Sequence, residues 1–216
     1  VQNMTPALRA TDLTYQYRKG PAILSHWSHD FYPGEVVAIT GPSGRGKSTL
    51  LYLLGLMLSP ASGHVSVDGR SLERTTDEQK SWVRATKYGF VFQDAALNPK
   101  RPIRESITET ALYRGENPED YLARADDLMG QLGVSIPASA RPNQVSGGQA
   151  QRIALCRAVL HRPDIILADE PTGNLDRNSG EVVQQVLRTE ANRGAAVLIV
   201  THDQDLANAC DRQITL

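Results

Sequence analysis

Cysteine is nearly missing from this chain, with only Cys156 and Cys210 among 216 residues. Two thiols make no disulfide framework, and neither has a His or Cys beside it at metal-ligand spacing, so a disulfide-stapled scaffold and a zinc module are excluded. They read as two small, half-buried thiols in a reducing cytoplasm. Charge of one sign is also lacking: 23 Lys and Arg stand against 24 Asp and Glu, a net charge of -1. Non-specific nucleic-acid binding relies on clustered cations displacing counterions, so no nucleic-acid partner is expected. No apolar run approaches the roughly 20 residues that cross a bilayer. The buried-looking "AAVLIV" (Ala195 to Val200) fits a core strand instead. Membrane contact is therefore expected only through a partner. Low-complexity tracts and internal repeats are absent. The chain starts at Val1, and "VQNMTPALRAT" lacks the basic-then-apolar order of a secretory signal, so the start reads as trimmed or processed.

What is present is two glycine-rich stretches, each leading into a helix and each built to hold phosphate. "GPSGRGKST" spans Gly41 to Thr49, and "VSGGQ" spans Val145 to Gln149. "EVVAIT" (Glu35 to Thr40) is a continuous apolar strand, as in a sheet covered on both faces, and "STLLYLLGLML" after the first loop reads as a buried helix. Upstream, "ALRATDLTYQY" and "AILSHWSHDFY" alternate loosely as strands, and "HVSVDGRSL" carries an Asp-Gly turn signal, which suggests an antiparallel patch. From about Asp94 to Leu160, charged residues interleave with Leu, Ile and Ala at helical spacing. This section reads as an inserted helical lobe. Strand character returns in "DIILADE" and "AAVLIVTH", separated by the helical "GEVVQQVLRTEANR". A parallel α/β core interrupted by helices accounts for this order.

Strand, glycine loop and helix form the context that a phosphate-binding loop requires. In Gly41, Pro42, Ser43, Gly44, Arg45, Gly46, Lys47, Ser48 and Thr49, the glycines let backbone N–H groups turn inward around phosphates. Lys47 supplies a point charge to the β- and γ-phosphates, and Ser48 offers an oxygen to Mg²⁺. Arg45 occupies a free position, either facing solvent or adding a phosphate contact. "IILADEP" is an apolar strand delivering adjacent carboxylates at its C-terminal edge, where α/β sheets bind ligands. Asp169 is expected to hold Mg²⁺ and Glu170 to orient and deprotonate an attacking water.

"VSGGQAQRIALCRAVL" resembles the signature segment of ATP-binding-cassette (ABC) ATPases, and "LADEPTGNLD" followed by "IVTHD" resembles that family's later motifs in order and spacing. The resemblance covers essentially the whole chain. It implies an α/β P-loop NTPase fold of RecA-like type, with an antiparallel β subdomain and an inserted α-helical lobe. All of 1–216 would form one ABC ATPase domain, with 1–93 and 161–216 as core and β subdomain and 94–160 as the signature-bearing lobe.

The resemblance also accounts for two phosphate sites in one chain. In this family two nucleotide-binding domains face head to tail, and the signature of one closes over the ATP held by the other. Ser146, Gly147, Gly148 and Gln149 at a helix N-terminus are an anion site of that kind, or a Ser cap with a tight turn. Gln93 in "FVFQD" matches the Gln that approaches Mg²⁺ and the attacking water. His202 matches the His that contacts the γ-phosphate. Asp176 in "GNLD" resembles the residue that crosses the dimer interface, and it could also cap the next helix. Tyr17 stands where an aromatic ring stacks on adenine, with Tyr15 as rival. Val145 replaces the usual Leu, and Cys156 a common Ala. The family pattern usually continues past "RQITL", so a short tail is expected to be missing.

"ADEPTGNLD" and the compact length resemble the subfamily of macrolide exporters, lipoprotein-releasing ATPases, peptide exporters and the cell-division ATPase. That subfamily implies a membrane permease partner, a second ATP-binding subunit expected to be identical, and a place on the inner face of the cell membrane. The permease would meet the stretch from Asp94 to Ile107. A soluble ABC ATPase of DNA repair or translation is the alternative; against it stand the near-neutral charge and the lack of a coiled-coil or zinc insertion between Lys47 and Ser146. A regulatory scaffold is disfavoured by intact Lys47, Asp169, Glu170 and His202.

Overall fold

The computed structural model describes residues 4–17, 20–137 and 139–216. Its centre is a parallel sheet of five strands whose middle members are apolar apart from Thr40 and Asp169 at their C-terminal ends. β3 (Val36–Thr40), β7 (Ile165–Asp169) and β8 (Ala196–Val200) are buried throughout except for Thr40, as expected for strands covered on both faces. With β6 (Tyr88–Val91) and β9 (Arg212–Thr215) the order is β6-β7-β8-β3-β9. Register decides what meets at the upper edge. Val200 pairs with both Ile39 and Asp169, so the residues just beyond, from Thr40 onward, at Glu170 and at Thr201, emerge side by side.

A second sheet, β2-β1-β4-β5, is antiparallel. It contains β1 (Leu8–Gln16), β2 (Ala22–Phe31), β4 (Ser62–Val67) and β5 (Arg70–Ser71), the last two joined through the expected Asp68-Gly69 turn with both φ values positive. Its inner side chains, among them Leu8, Leu13 and Phe31, share a core with Leu50, Leu53 and Leu54 of α1 (Lys47–Leu54).

α1 stops earlier than "STLLYLLGLML" predicts. Gly55 ends it because the chain passes against β6 and β7 there: a Cβ on Gly55 would lie 2.6 Å from Phe90 Cε1 and 3.2 Å from Leu167 Cδ1. A second difference is α2 (Asp77–Lys87), a helix that apolar periodicity does not reveal because none of its residues is buried. Its signal is local. Thr76 and Gln79 form a reciprocal capping box, with Gln79 N donating to Thr76 Oγ1 at 3.2 Å and Thr76 N to Gln79 Oε1 at 2.9 Å.

The middle of the chain is helical as expected, with α3 (Ile103–Thr108), α4 (Thr110–Tyr113), α5 (Leu122–Gln131) and α6 (Gly147–Val159). Ile103, Ile107, Leu128, Leu132 and Ile153 close its interior. That interior is continuous with the core under β7 and β8, because α6 packs on β6 as well as on α3 and α5. Cys156 lies fully buried within it rather than half-buried, and burial pushes its thiol up to about 12. α7 (Arg177–Asn192) and α8 (Gln204–Asn208) complete the chain.

Candidate active site

The first glycine loop leaves β3 at Thr40, its C-terminal end. Gly41, Gly44 and Gly46 all have positive φ, and Gly46 begins α1 without a side-chain cap. Among the described residues, the N–H groups of Gly44, Gly46, Lys47 and Ser48 meet no acceptor. These amides at a helix start are what an anion needs. Lys47 Nζ folds back over the loop, donating to the carbonyls of Gly41 at 2.8 Å and Pro42 at 3.0 Å. Pro42, Ser43 and Arg45 are exposed, and the Arg45 side chain makes no hydrogen bond or ion pair among the described residues. Tyr17 reaches the same place from the end of β1, its hydroxyl 3.2 Å from Thr49 Oγ1. Tyr15 instead packs against the core beneath the antiparallel sheet.

β7 brings two carboxylates to the same edge. Asp169 is 4% exposed and lies beside Ser48 and Lys47, both of which favour its charged form. Burial raises its pKa most; the Ser48 hydroxyl and Lys47 pull the other way, while Glu170 adds to the rise. A hydroxyl and a buried carboxylate are hard oxygen donors, a set that fits Mg²⁺ with the remaining ligands from phosphate and water. Among the described residues no group of three His, Cys, Asp or Glu side chains could hold a metal alone.

Glu170 sits in a left-handed conformation, φ 48°, which is unfavourable for a residue with a Cβ. Its amide donates to Val200 O at 2.9 Å. The carboxylate accepts from Thr201 Oγ1 at 3.3 Å, from the His202 amide at 3.1 Å and from His202 Nδ1 at 2.7 Å. The strained turn thus aims a carboxylate that three donors from the neighbouring strand hold still. His202 is largely exposed, and its hydrogen bond to Glu170 raises its pKa.

Gln93 lies two residues beyond β6, which pairs with β7 so that Val91 faces Ala168. It is therefore on the same edge, but exposed and without a side-chain bond to the carboxylates. The second glycine stretch is separate: Ser146 caps α6, accepting from Gln149 N at 3.2 Å while Gln149 Oε1 accepts from Ser146 N at 2.9 Å. A Cβ on Gly147 would meet nothing within 4 Å. Asp176 caps α7, accepting from Ser179 N at 3.0 Å and Ser179 Oγ at 2.8 Å. The capping alternatives for Ser146 and Asp176 are thus both present.

One strong-loop, paired-carboxylate site and one separate capped glycine turn are the pattern of a known family, and the family described as ABC transporter matches residues 24–173. The chain belongs to the ABC transporter family. It is 41% identical over 214 residues to the lipoprotein-releasing system ATP-binding protein LolD 1 of Rhodospirillum rubrum, covering 97% of this chain and 95% of that protein. It is 43% identical over 187 residues to the macrolide export ATP-binding/permease protein MacB of Nitrosomonas europaea, covering 87% of this chain but only 28% of MacB. Its fold is similar, with TM-score 0.90 and 33% identity over 97% of this chain and 94% of the other, to the dimeric post-hydrolysis state of the ATP-binding cassette MJ0796 bound to ADP and Pi. As a member of this ABC family the chain is an ATP-binding subunit and an ATPase coupled to transport. Residues that sequence reasoning missed are Thr201, which fixes Glu170, and the Asp203 cap of α8 that sets the His202 turn, with Asp205 N donating to Asp203 Oδ1 at 2.8 Å.

Proposed function

We propose that this chain hydrolyses ATP between two copies of itself and drives a membrane permease of exporter or mechanotransmission type. The observation that carries the chemistry is the immobilised Glu170 carboxylate beside the Ser48, Asp169 and Lys47 cluster. The free amides of Gly44, Gly46, Lys47 and Ser48, with the Lys47 ammonium, hold the phosphates; Ser48, Asp169 and Gln93 would hold Mg²⁺, which would neutralise phosphate charge. Glu170 accepts the proton of the attacking water, and His202 lies next to it for the γ-phosphate. Tyr17 supplies the adenine platform. Ser146, Gly147 and Gly148 serve the partner's nucleotide, and Asp176 reaches across the interface.

Residues 1–93 and 161–216 act as the ATP-holding core with its β subdomain, and 94–160 as the lobe that carries the signature. The permease docks in the 1510 Å³ groove between α2, β6 and the lobe, lined by Trp82, Phe90, Phe92, Ala96, Glu109 and Tyr113. Trp82 is 56% and Tyr113 64% exposed, which supports an apolar partner surface there. Only Ala96 of the expected stretch from Asp94 to Ile107 lines this groove; α2 and β6 contribute far more of the wall than that stretch does. No helix among the described residues is long and apolar enough to cross a membrane, so attachment to the inner face of the cell membrane runs through the permease.

Glu170→Gln tests the chemistry, because the amide keeps the shape and loses the base. ATP turnover falls by about 10²-fold or more while ATP-dependent dimerisation persists in light scattering. Full turnover by this variant overturns the assignment. Isolation of the tagged chain from detergent-solubilised membranes, with mass spectrometry of what accompanies it, tests the permease.

A further inference from the structure

α6 does more than present the signature. Two of its buried side chains leave the helix to hold the backbone on either side of Gln93. Gln151 is 3% exposed, and its Nε2 donates to Phe92 O at 3.1 Å. Arg157 is 9% exposed, and its guanidinium donates to Ala95 O at 2.9 Å and to Ala96 O at 3.0 Å. Glu109 lies 3.8 Å from the same guanidinium, a compensating charge for a buried cation.

These bonds fall on a segment that needs holding. Ala96 has φ 47°, a left-handed conformation that an alanine does not keep unaided. The Gln93 side chain itself has no partner among the described residues, so its placement depends on the backbone from Phe92 to Ala96. Both anchors belong to one rigid 13-residue helix whose first turn is the Ser146 cap. Phe92, Ala96 and Arg157 also line the groove assigned to the permease.

We propose that Gln151 and Arg157 are positioning residues that set Gln93 at the nucleotide site. A shift of α6 at its signature end then moves the Gln93 segment with it. The inference rests on the reading of Gln93 as a residue of the reacting site. Gln151 acts through a buried amide, so an apolar side chain of equal length leaves the Phe92 carbonyl without its donor and frees the segment.

The test compares Gln93→Ala, Gln151→Met and the double variant in the full chain, by steady-state MgATP turnover and thermal melting. Gln151→Met is expected to lower kcat about tenfold with KM for ATP within about twofold of the parent. The double variant turns over no more slowly than Gln93→Ala alone, as for two changes acting on one element. Parental kcat in Gln151→Met, a rise in KM with kcat unchanged, or losses that multiply in the double variant overturn the proposal. Slow Gln93→Ala with normal Gln151→Met sinks this inference alone; parental kcat in Gln93→Ala sinks the reading of Gln93 and the inference together. Should Gln151→Met fail to fold, Arg157→Lys, which keeps the charge and loses the paired donation, is judged by the same kcat, KM and double-variant criteria.

Discussion

His202 Nδ1 donates to Glu170 Oε1 at 2.7 Å, and the His202 amide donates to the same oxygen at 3.1 Å. One residue at the end of β8 therefore grips a carboxylate at the end of β7 twice, through side chain and main chain. The acceptor can only be the carboxylate, so the imidazole carries its proton on Nδ1.

This pair sets a pH dependence. The hydrogen bond to Glu170, then its charge, raise the His202 pKa above the ordinary histidine value of 6.5. A raised histidine pKa means that the bond's contribution to stability is complete below that ordinary value and is lost as pH rises through the higher folded value. NMR titration of the His202 ring should give a midpoint above 6.5, moving down in Glu170→Gln. A midpoint that Glu170→Gln leaves in place would show that the pair does not set it.

Asp169 carries the opposite sign. Its pKa is raised chiefly by burial, so the charged form is disfavoured in the folded chain. Folding is penalised at pH values above its ordinary carboxylate range, and the penalty is complete above the raised folded value. Asp169→Asn is expected to raise Tm in metal-free buffer at neutral pH and to abolish the Mg²⁺ dependence of ATP binding. A lowered Tm in calorimetry would mean that the favourable influence of Ser48 and Lys47 outweighs desolvation.

The proposed adenine platform distinguishes two tyrosines. Tyr17 is 51% exposed beside Thr49, whereas Tyr15 packs on the core and meets Tyr17 edge-on at 5.2 Å. Tyr17→Ala should raise KM for ATP roughly tenfold or more, the loss of one stacking contact, while Tyr17→Phe keeps it near the parent. Tyr15→Ala should lower Tm with little change in KM. The reverse pattern would hand the role to Tyr15.

The glycine loop depends on its approach to the antiparallel sheet. Gly46 has φ 89°, and a Cβ there would stand 2.0 Å from Ile23 Cγ2 on β2. Gly46→Ala is expected to cost roughly 1–3 kcal/mol from strain and overpacking, read as a lower Tm, with weakened ATP binding. Adding Ile23→Ala recovers only part, because the backbone strain remains. Complete recovery would assign the whole cost to the clash.

The sequence by itself determined the elements whose signal is local. Buried strands appear as apolar runs in "VVAIT", "IILAD" and "AVLIV", and the loop after the first of them is glycine-rich because Gly41, Gly44 and Gly46 take the positive φ that turns backbone amides inward. Asp169 and Glu170 were legible as charges ending an apolar strand. α2 was not, since it buries nothing and announces itself only by the Thr76 and Gln79 cap, and α1 overran because the contact that stops it at Gly55 comes from β6 and β7, far along the chain. Only the tertiary structure decided that β7 and β8 lie side by side in a register placing Thr201 and His202 on Glu170, and that α6 reaches back to Phe92, Ala95 and Ala96. Those bonds join residues tens of positions apart. Strand order and helix packing create them, and no local periodicity encodes which strand will be the neighbour.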